Sequence, residues 1–355
     1  MESKLKPLEL AAIPLLLALL NLQMLANAVP QVPCYFIFGD SLSDCGNNNK
    51  LVTMAKVNYS PYGIDFPQGP TGRFNNGRTI HDFLVKLLEF EDYIPPFADL
   101  EGKNILNGVN YASGASGIRE ETGQHLGGRI PLNEQIKNHQ TIISKISASM
   151  GNDSAAKSHL SRCIYSVQIG SNDYLNNYFR PELYNTSQTY TPQEYATVLV
   201  QQLSDQLKTL YDSGARKFTV YGLGLIGCTP DARSVHGTGT PCVDKFNEAS
   251  IPFNERLRLL IDQLNHNLID AKFTFIMPSG NTTALVSYSA CCQTRGHAGE
   301  LCLPDSKPCD DRNRYVFWDG VHPTDTWNEI VANSVYGSEK PEVAQPFNIQ
   351  KLAQQ

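Results

Sequence analysis

Cys34-Tyr35-Phe36-Ile37-Phe38 is an unbroken apolar run that stops at Gly39-Asp40-Ser41. It reads as a β-strand buried on both faces, because a strand with one wet face would alternate polar and apolar positions. Working outward, Ile80, Phe83, Leu84, Leu87 and Leu88 follow helical spacing. Gly108 to Ala112 is a candidate second strand, followed by a helix around Ile136 to Ile146, and Cys163 to Ile169 reads as a third strand. Thr191-Pro192-Gln193-Glu194 has the Thr-x-x-Glu spacing of a helix start with proline in the first turn. That helix turns Leu199, Leu203, Leu207 and Leu210 inward and stops at Gly214. Phe218 to Tyr221 is a fourth strand, and a long helix carrying Phe253, Leu257, Leu260 and Leu264 follows it. Phe273 to Met277 is a fifth strand, internal or at an edge. Tyr315 to Trp318 is a short extended segment before a last helix from Thr324.

Strand and helix alternate along the chain, which predicts an α/β fold with a parallel sheet covered by helices on both faces. Ligands in such sheets sit beyond the carboxyl ends of the strands. The positions just past the strands are Gly39-Asp40-Ser41, the turn from Ala112 to Ile118, Gly170-Ser171-Asn172-Asp173 and Asp319-Gly320-Val321-His322. Four polar, glycine-rich clusters are therefore expected on one sheet edge.

Residues 1–28 stand apart from this pattern. Lys4 and Lys6 precede an apolar run from Leu8 to Leu25, and Ala26-Asn27-Ala28 gives the small-x-small pattern read by signal peptidase. A membrane anchor is the alternative, but the run contains Pro14 and lacks a basic stop-transfer flank. The expectation is an exported protein, extracellular, with residues 29–355 forming one domain and no integral span after signal removal. A net charge of −6 argues against nucleic acid as the main partner. All nine cysteines follow the signal, and in an exported chain they are expected to pair, leaving an odd one over. Cys228 and Cys242 are placed to clasp a local loop; Cys291, Cys292, Cys302 and Cys309 are placed to staple the segment before Tyr315. The cysteines lack the clustered spacing of a zinc site, so no metal is expected. Asn58, Asn152, Asn185 and Asn281 each begin an Asn-x-Ser/Thr glycosylation triplet.

The chemistry resides in the four clusters. Ester cleavage by a hydroxyl needs a serine, a base, a carboxylate to orient the base, and donors for the oxyanion. Ser41, at a strand-to-helix turn, is the candidate nucleophile, with helix capping as its bland alternative. His322, three residues after Asp319, is the candidate base and Asp319 its orienting carboxylate. Asn172 offers an amide N–H to the oxyanion, or else serves only as a turn residue. The remaining histidines read as mostly solvated. A rival reading makes Asp40, Asp44, Asn172 and His322 ligands of a two-metal phosphoesterase. A second makes the chain a non-catalytic binder of lipid or glycan.

Gly39-Asp40-Ser41-Leu42-Ser43-Asp44-x-Gly46-Asn47-Asn48, Gly108 to Gly117, Gly170-Ser171-Asn172-Asp173-Tyr174 and Asp319-x-x-His322-Pro323 together resemble the four blocks of the GDSL, or SGNH, hydrolases. The Asn-rich tail of the first block and the whole of the second resemble the plant GDSL esterase/lipase branch. The resemblance runs in order from Cys34 to the C-terminus. It implies a flavodoxin-like three-layer α/β/α sandwich, a Ser41–His322–Asp319 triad working through an acyl-enzyme, no cofactor, and an oxyanion hole from Ser41, Gly117 and Asn172. Gly114 is the alternative block-two glycine for that role. The expected partners are a small ester, a lipid or an acylated glycan. Tyr174, Tyr178, Phe179 and Leu183 are candidates to line an acyl groove, or else core residues.

Overall fold

The computed structural model describes residues 29–237, 239–294 and 301–355, so the N-terminal segment 1–28 and His297 lie outside the described residues. Four parallel strands, β1 (Tyr35–Gly39), β2 (Ile164–Gln168), β3 (Lys217–Tyr221) and β4 (Lys272–Ile276), lie side by side in that order. The next two strands, β5 (Val286–Ala290) and β6 (Tyr315–Phe317), form a separate small parallel pair. A last strand, β7 (Ala344–Gln345), closes the large sheet antiparallel to β4.

Alternation along each strand sorts the side chains into two cores. Phe36, Phe38, Tyr165, Val167, Phe218, Val220, Phe273 and Phe275 pack beneath the long helices Leu132–Met150, Pro192–Asp212 and Asp244–Asn267. Tyr35, Ile37, Ile164, Tyr221 and Ile276 face the other way, toward helices Ile80–Leu87, Asp325–Gly337 and Ile349–Ala353. This is the three-layer α/β/α sandwich expected from the sequence. Each buried Phe, Leu or Ile contributes about 1.5–3 kcal/mol of transfer free energy. Thr191 caps its helix as read: its hydroxyl accepts from Glu194 N–H while the Glu194 carboxylate accepts from Thr191 N–H, a pairing worth about 1 kcal/mol.

Three elements differ from the sequence reading. Residues 108–112 run parallel to β1 on its outer side, bonded through Ile37 N–H to Val109 O and Tyr111 N–H to Ile37 O, but do not form a regular strand. Side chains take the backbone groups a ladder would use: Asn47 Nδ2 donates to the carbonyls of Asn110 and Ala112, and Asn110 Oδ1 accepts from Ala112 N–H. With this segment counted, the chain order across the sheet is that of a flavodoxin-like fold. The Tyr315–Phe317 strand belongs to the small pair and not to the large sheet, so the fourth cluster reaches the site from outside the sheet edge. Ser41 is followed by a tight turn in place of the expected helix.

The cysteines pair as 34–163, 228–242, 291–309 and 292–302, and Cys45 is buried and free. The local clasp and the staple before Tyr315 were legible beforehand; the 34–163 bond was not, because its ends are 129 residues apart. That bond ties the entrances of β1 and β2 together. A Cys34→Ser/Cys163→Ser double variant is expected to lose about 2–4 kcal/mol of unfolding free energy. An unchanged urea midpoint and slope would show that the β1–β2 edge holds without it.

Candidate active site

The turn that carries Ser41 is braced by local hydrogen bonds on either side of the serine. At the end of β1, Gly39 stands beside Gln168, and a β-carbon there would lie 2.5 Å from the Gln168 carbonyl oxygen, so the close approach requires glycine. The Asp40 carbonyl then accepts from the N–H groups of Ser43 and Asp44, and its Oδ1 accepts from Leu42 N–H. Ser43 Oγ donates to Gln168 Oε1 at 3.1 Å and lies 2.9 Å from His81 Nε2. Burial, opposed by the Leu42 N–H, pushes the Asp40 carboxyl up to about 7.

His322 Nε2 lies 2.8 Å from Ser41 Oγ, and His322 Nδ1 lies 2.8 and 2.9 Å from the two oxygens of Asp319. A carboxylate only accepts, so Nδ1 carries the proton and a neutral ring presents Nε2 to the serine hydroxyl. The three-residue spacing works through a turn, not the helical turn expected. Asp319 Oδ1 accepts from the N–H groups of Val321 and His322, and Trp318 N–H closes the turn on His322 O. The Phe74 ring packs against the imidazole with centroids 5.0 Å apart. An imidazole held this way can take a proton from Ser41.

Asn172, on the turn past β2, is brought to the same place. One of its amide hydrogens goes to the Ser116 carbonyl at 3.0 Å, its oxygen accepts from Asn176, and the residue faces the cavity beside Ser41. Its neighbour Asp173 is a brace: the carboxylate accepts from Ile118 N–H, Arg119 N–H and Thr122 Oγ1, and burial pushes it up to about 6. The Asn-rich tail has the same role for the second cluster. Asp44 accepts from Gly46, Asn47 and Gly114 N–H groups, while Asn48 donates to the carbonyls of Ala55 and Gly114.

Gly117 is less favourably turned. Ser116 C=O points at Asn172, and the N–H of the same trans peptide, which belongs to Gly117, points the opposite way. Gly117 is glycine for space, since a β-carbon would meet Thr122 at 2.5 Å and Asp173 at 2.6 Å. Gly114 N–H is committed to Asp44 and Ser116 N–H to Ser113 O. Ala115, at φ 67°, lies between them. Ala115 N–H takes part in none of the hydrogen bonds among the described residues.

A cavity of about 1000 Å³ opens beside Ser41, walled by Leu223, Ile226, Met277 and Phe317 and rimmed by exposed Leu225 and Tyr288. Tyr174 and Tyr178 are not on its wall; they are buried against Tyr195. Two histidines expected in solvent are buried. His81 bridges Ser43 and Tyr35 and is pushed down to about 4 by burial; His139 bonds Tyr111 and is pushed down to about 3. Both are therefore neutral scaffold groups.

A serine, a histidine and an aspartate thus stand in hydrogen-bonded series beside an apolar cavity of an α/β/α sandwich. Residues 35–335 match the GDSL-like lipase/acylhydrolase family. The chain is 48% identical over 340 residues to the GDSL esterase/lipase At1g29670 of Arabidopsis thaliana, covering 93% of each chain. It is 46% identical over 366 residues to the GDSL esterase/lipase At1g29660 of the same plant, covering 100% of each. The chain belongs to the GDSL-like lipase/acylhydrolase family and is a hydrolase acting on ester bonds.

Asp319→Asn retains the shape of the side chain but can present an N–H where Nδ1 needs an acceptor, which reverses the ring tautomer. Ester turnover is expected to fall by about 10⁴, with folding retained. Near-normal turnover in that variant would remove Asp319 from the chemistry.

Proposed function

We propose that this protein cleaves carboxylic esters through an acyl-enzyme on Ser41, with His322 as general base and Asp319 as its orienting group. The observation that carries the reading is the series Ser41 Oγ, His322, Asp319 at 2.8 Å steps, with Ser41 on the wall of an apolar cavity. Ser41 Oγ attacks the ester carbonyl carbon as its proton passes to Nε2. The oxyanion so formed collapses, the C–O bond to the alcohol breaks, and Nε2 returns the proton to the departing alkoxide. Water repeats the sequence and releases the acid. The oxyanion donors are the Asn172 amide, Ser41 N–H and, in place of the expected Gly117, Ala115 N–H.

The two-metal alternative is opposed by prior commitments of its ligands. Both oxygens of Asp44 are taken by backbone N–H groups, and both nitrogens of His322 face Ser41 and Asp319. The non-catalytic alternative is opposed by the reactive alignment itself. Export and glycosylation belong to the same proposal. The N-terminal apolar segment, four disulfides among the described residues and the exposed positions of Asn58, Asn152, Asn185 and Asn281 support them. No described helix is long and apolar enough to cross a membrane.

A fluorophosphonate probe is expected to label Ser41 stoichiometrically, and Ser41→Ala to abolish both labelling and turnover. A peptide map placing the label on Ser113 or Ser116 would identify a different nucleophile.

The apolar wall favours an ester with an extended hydrocarbon acyl chain over an acetyl group. Each methylene buried contributes about 0.8 kcal/mol, or roughly fourfold in kcat/KM, until the chain fills the cavity. A p-nitrophenyl ester series should therefore rise from acetate to octanoate, and Met277→Trp should move the optimum to shorter chains. A series that peaks at acetate would make the cavity irrelevant to the acyl group.

A further inference from the structure

Asp319 has a partner that belongs to none of the four sequence clusters. Tyr62 is buried, and its hydroxyl lies 2.7 Å from Asp319 Oδ2. The direction of this bond is determined by a second one. Cys302 N–H donates to the same phenolic oxygen at 3.0 Å, so the phenol hydrogen is left for the carboxylate. Burial, and then the Asp319 charge, hold the phenol well above its ordinary range, so it remains a donor at every working pH. The ring is fixed edge-on to Trp318 and to Tyr59, and Tyr59 OH donates in turn to Cys302 O at 2.9 Å. Cys302 is disulfide-bonded to Cys292, whose N–H donates to Trp318 O, one residue before Asp319.

Among the described residues, the other donors to the carboxylate come from its own turn: Val321 N–H, His322 N–H and His322 Nδ1. They grip mainly Oδ1. Tyr62 is the donor that holds Oδ2 from across the molecule, and it stops the carboxylate plane from rotating about the Cβ–Cγ bond. We propose that Tyr62 is a positioning residue for the Ser41–His322–Asp319 series. The proposal rests on the reading of Ser41, His322 and Asp319 given above.

Two effects of removing the hydroxyl follow from its geometry. The carboxylate gains freedom to rotate, which misaligns the imidazole only when charge develops on it. The carboxylate charge, no longer shared with a phenol, also falls more fully on the imidazolium and stabilises it. The charged and titratable groups facing this pair are Asp40 and Asp231, with Arg180 beyond Asp231 and Tyr59 behind Tyr62. None of these changes between wild type and variant.

The test is Tyr62→Phe, with kcat expressed per fluorophosphonate-titrated site. The expected result is a ten- to hundredfold fall in kcat, the size expected for one hydrogen bond to a charged group. KM should change little, and the acidic limb of the kcat/KM profile should move to higher pH. Tyr59→Phe, which loosens the Cys302 segment without touching Asp319, should lower Tm while leaving kcat per site and the limb in place. Should Tyr62→Phe fail to fold, 3-fluorotyrosine at position 62 retains both bonds with a stronger donor, and the limb should then move to lower pH. Wild-type kcat per site with an unmoved limb in the Phe variant, an unmoved limb in the fluorinated protein, or a Tyr59→Phe variant that copies Tyr62→Phe would each overturn the proposal. Ser41→Ala, run alongside, separates this outcome from failure of the parent reading, since an active Ser41→Ala enzyme would indict the nucleophile and not the tyrosine.

Discussion

Gly39 and Gln168 meet at the last paired position of β1 and β2, with no room for a β-carbon between the strand end and the Gln168 carbonyl. That contact ends both strands at one level. It therefore launches the Ser41 turn and the Asn172 turn side by side, the arrangement on which the proposed roles of these two residues depend. Gln168 contributes twice, through its backbone to the register and through its side chain to Ser43. Gln135 reinforces the same point, since its side chain accepts from Gly39 N–H and donates to Gly39 O. The position of the reactive serine is thus set by strand pairing and buried amides, with little left to loop flexibility.

The polar residues around this point are scaffold, and the molecule bears a cost for them. Asp40, Asp44 and Asp173 are all buried, and burial raises each carboxyl above its ordinary range despite the backbone donors around it. Stripping water from such groups is unfavourable unless hydrogen bonds replace it. Asp44 and Asp173 recover much of that loss by gripping backbone N–H groups of the second cluster, which has no regular strand to hold it. A loop without a ladder needs side chains to satisfy its peptide groups. That explains why an Asn-rich stretch sits directly behind Ser41.

The Asp319–His322 pair arrives from elsewhere. Asp319 and His322 follow a short strand of the small β5–β6 pair, held by the 291–309 and 292–302 disulfides and by Thr324 bonding back to Tyr315 and Val316. The large sheet and this stapled unit meet where Ser41 faces His322, with Tyr62, Phe74 and Trp318 packed together beside them. Cross-linking offsets the small core available to such a unit.

The sequence by itself determined the alternation of strands and helices, the serine at the first strand end, the Asp319–His322 pair, the Asn172 turn and the local cysteine clasps. Each is encoded within a few residues: an apolar run stopped by glycine, a Thr-x-x-Glu cap, an Asp three residues before a His. Only the tertiary structure decided that Ala112 to Ile118 is held by side chains, that His81 and His139 are neutral core groups, that Cys34 bonds Cys163, and that Tyr62 holds Asp319. Those facts join residues separated by 46, 28, 129 and 257 positions, counting His81 to Tyr35, His139 to Tyr111, Cys34 to Cys163 and Tyr62 to Asp319. The physical reason is one of range. Backbone preference and side-chain period act along a turn or a strand, whereas the partner of a buried polar group is chosen by which surfaces the packed core brings together.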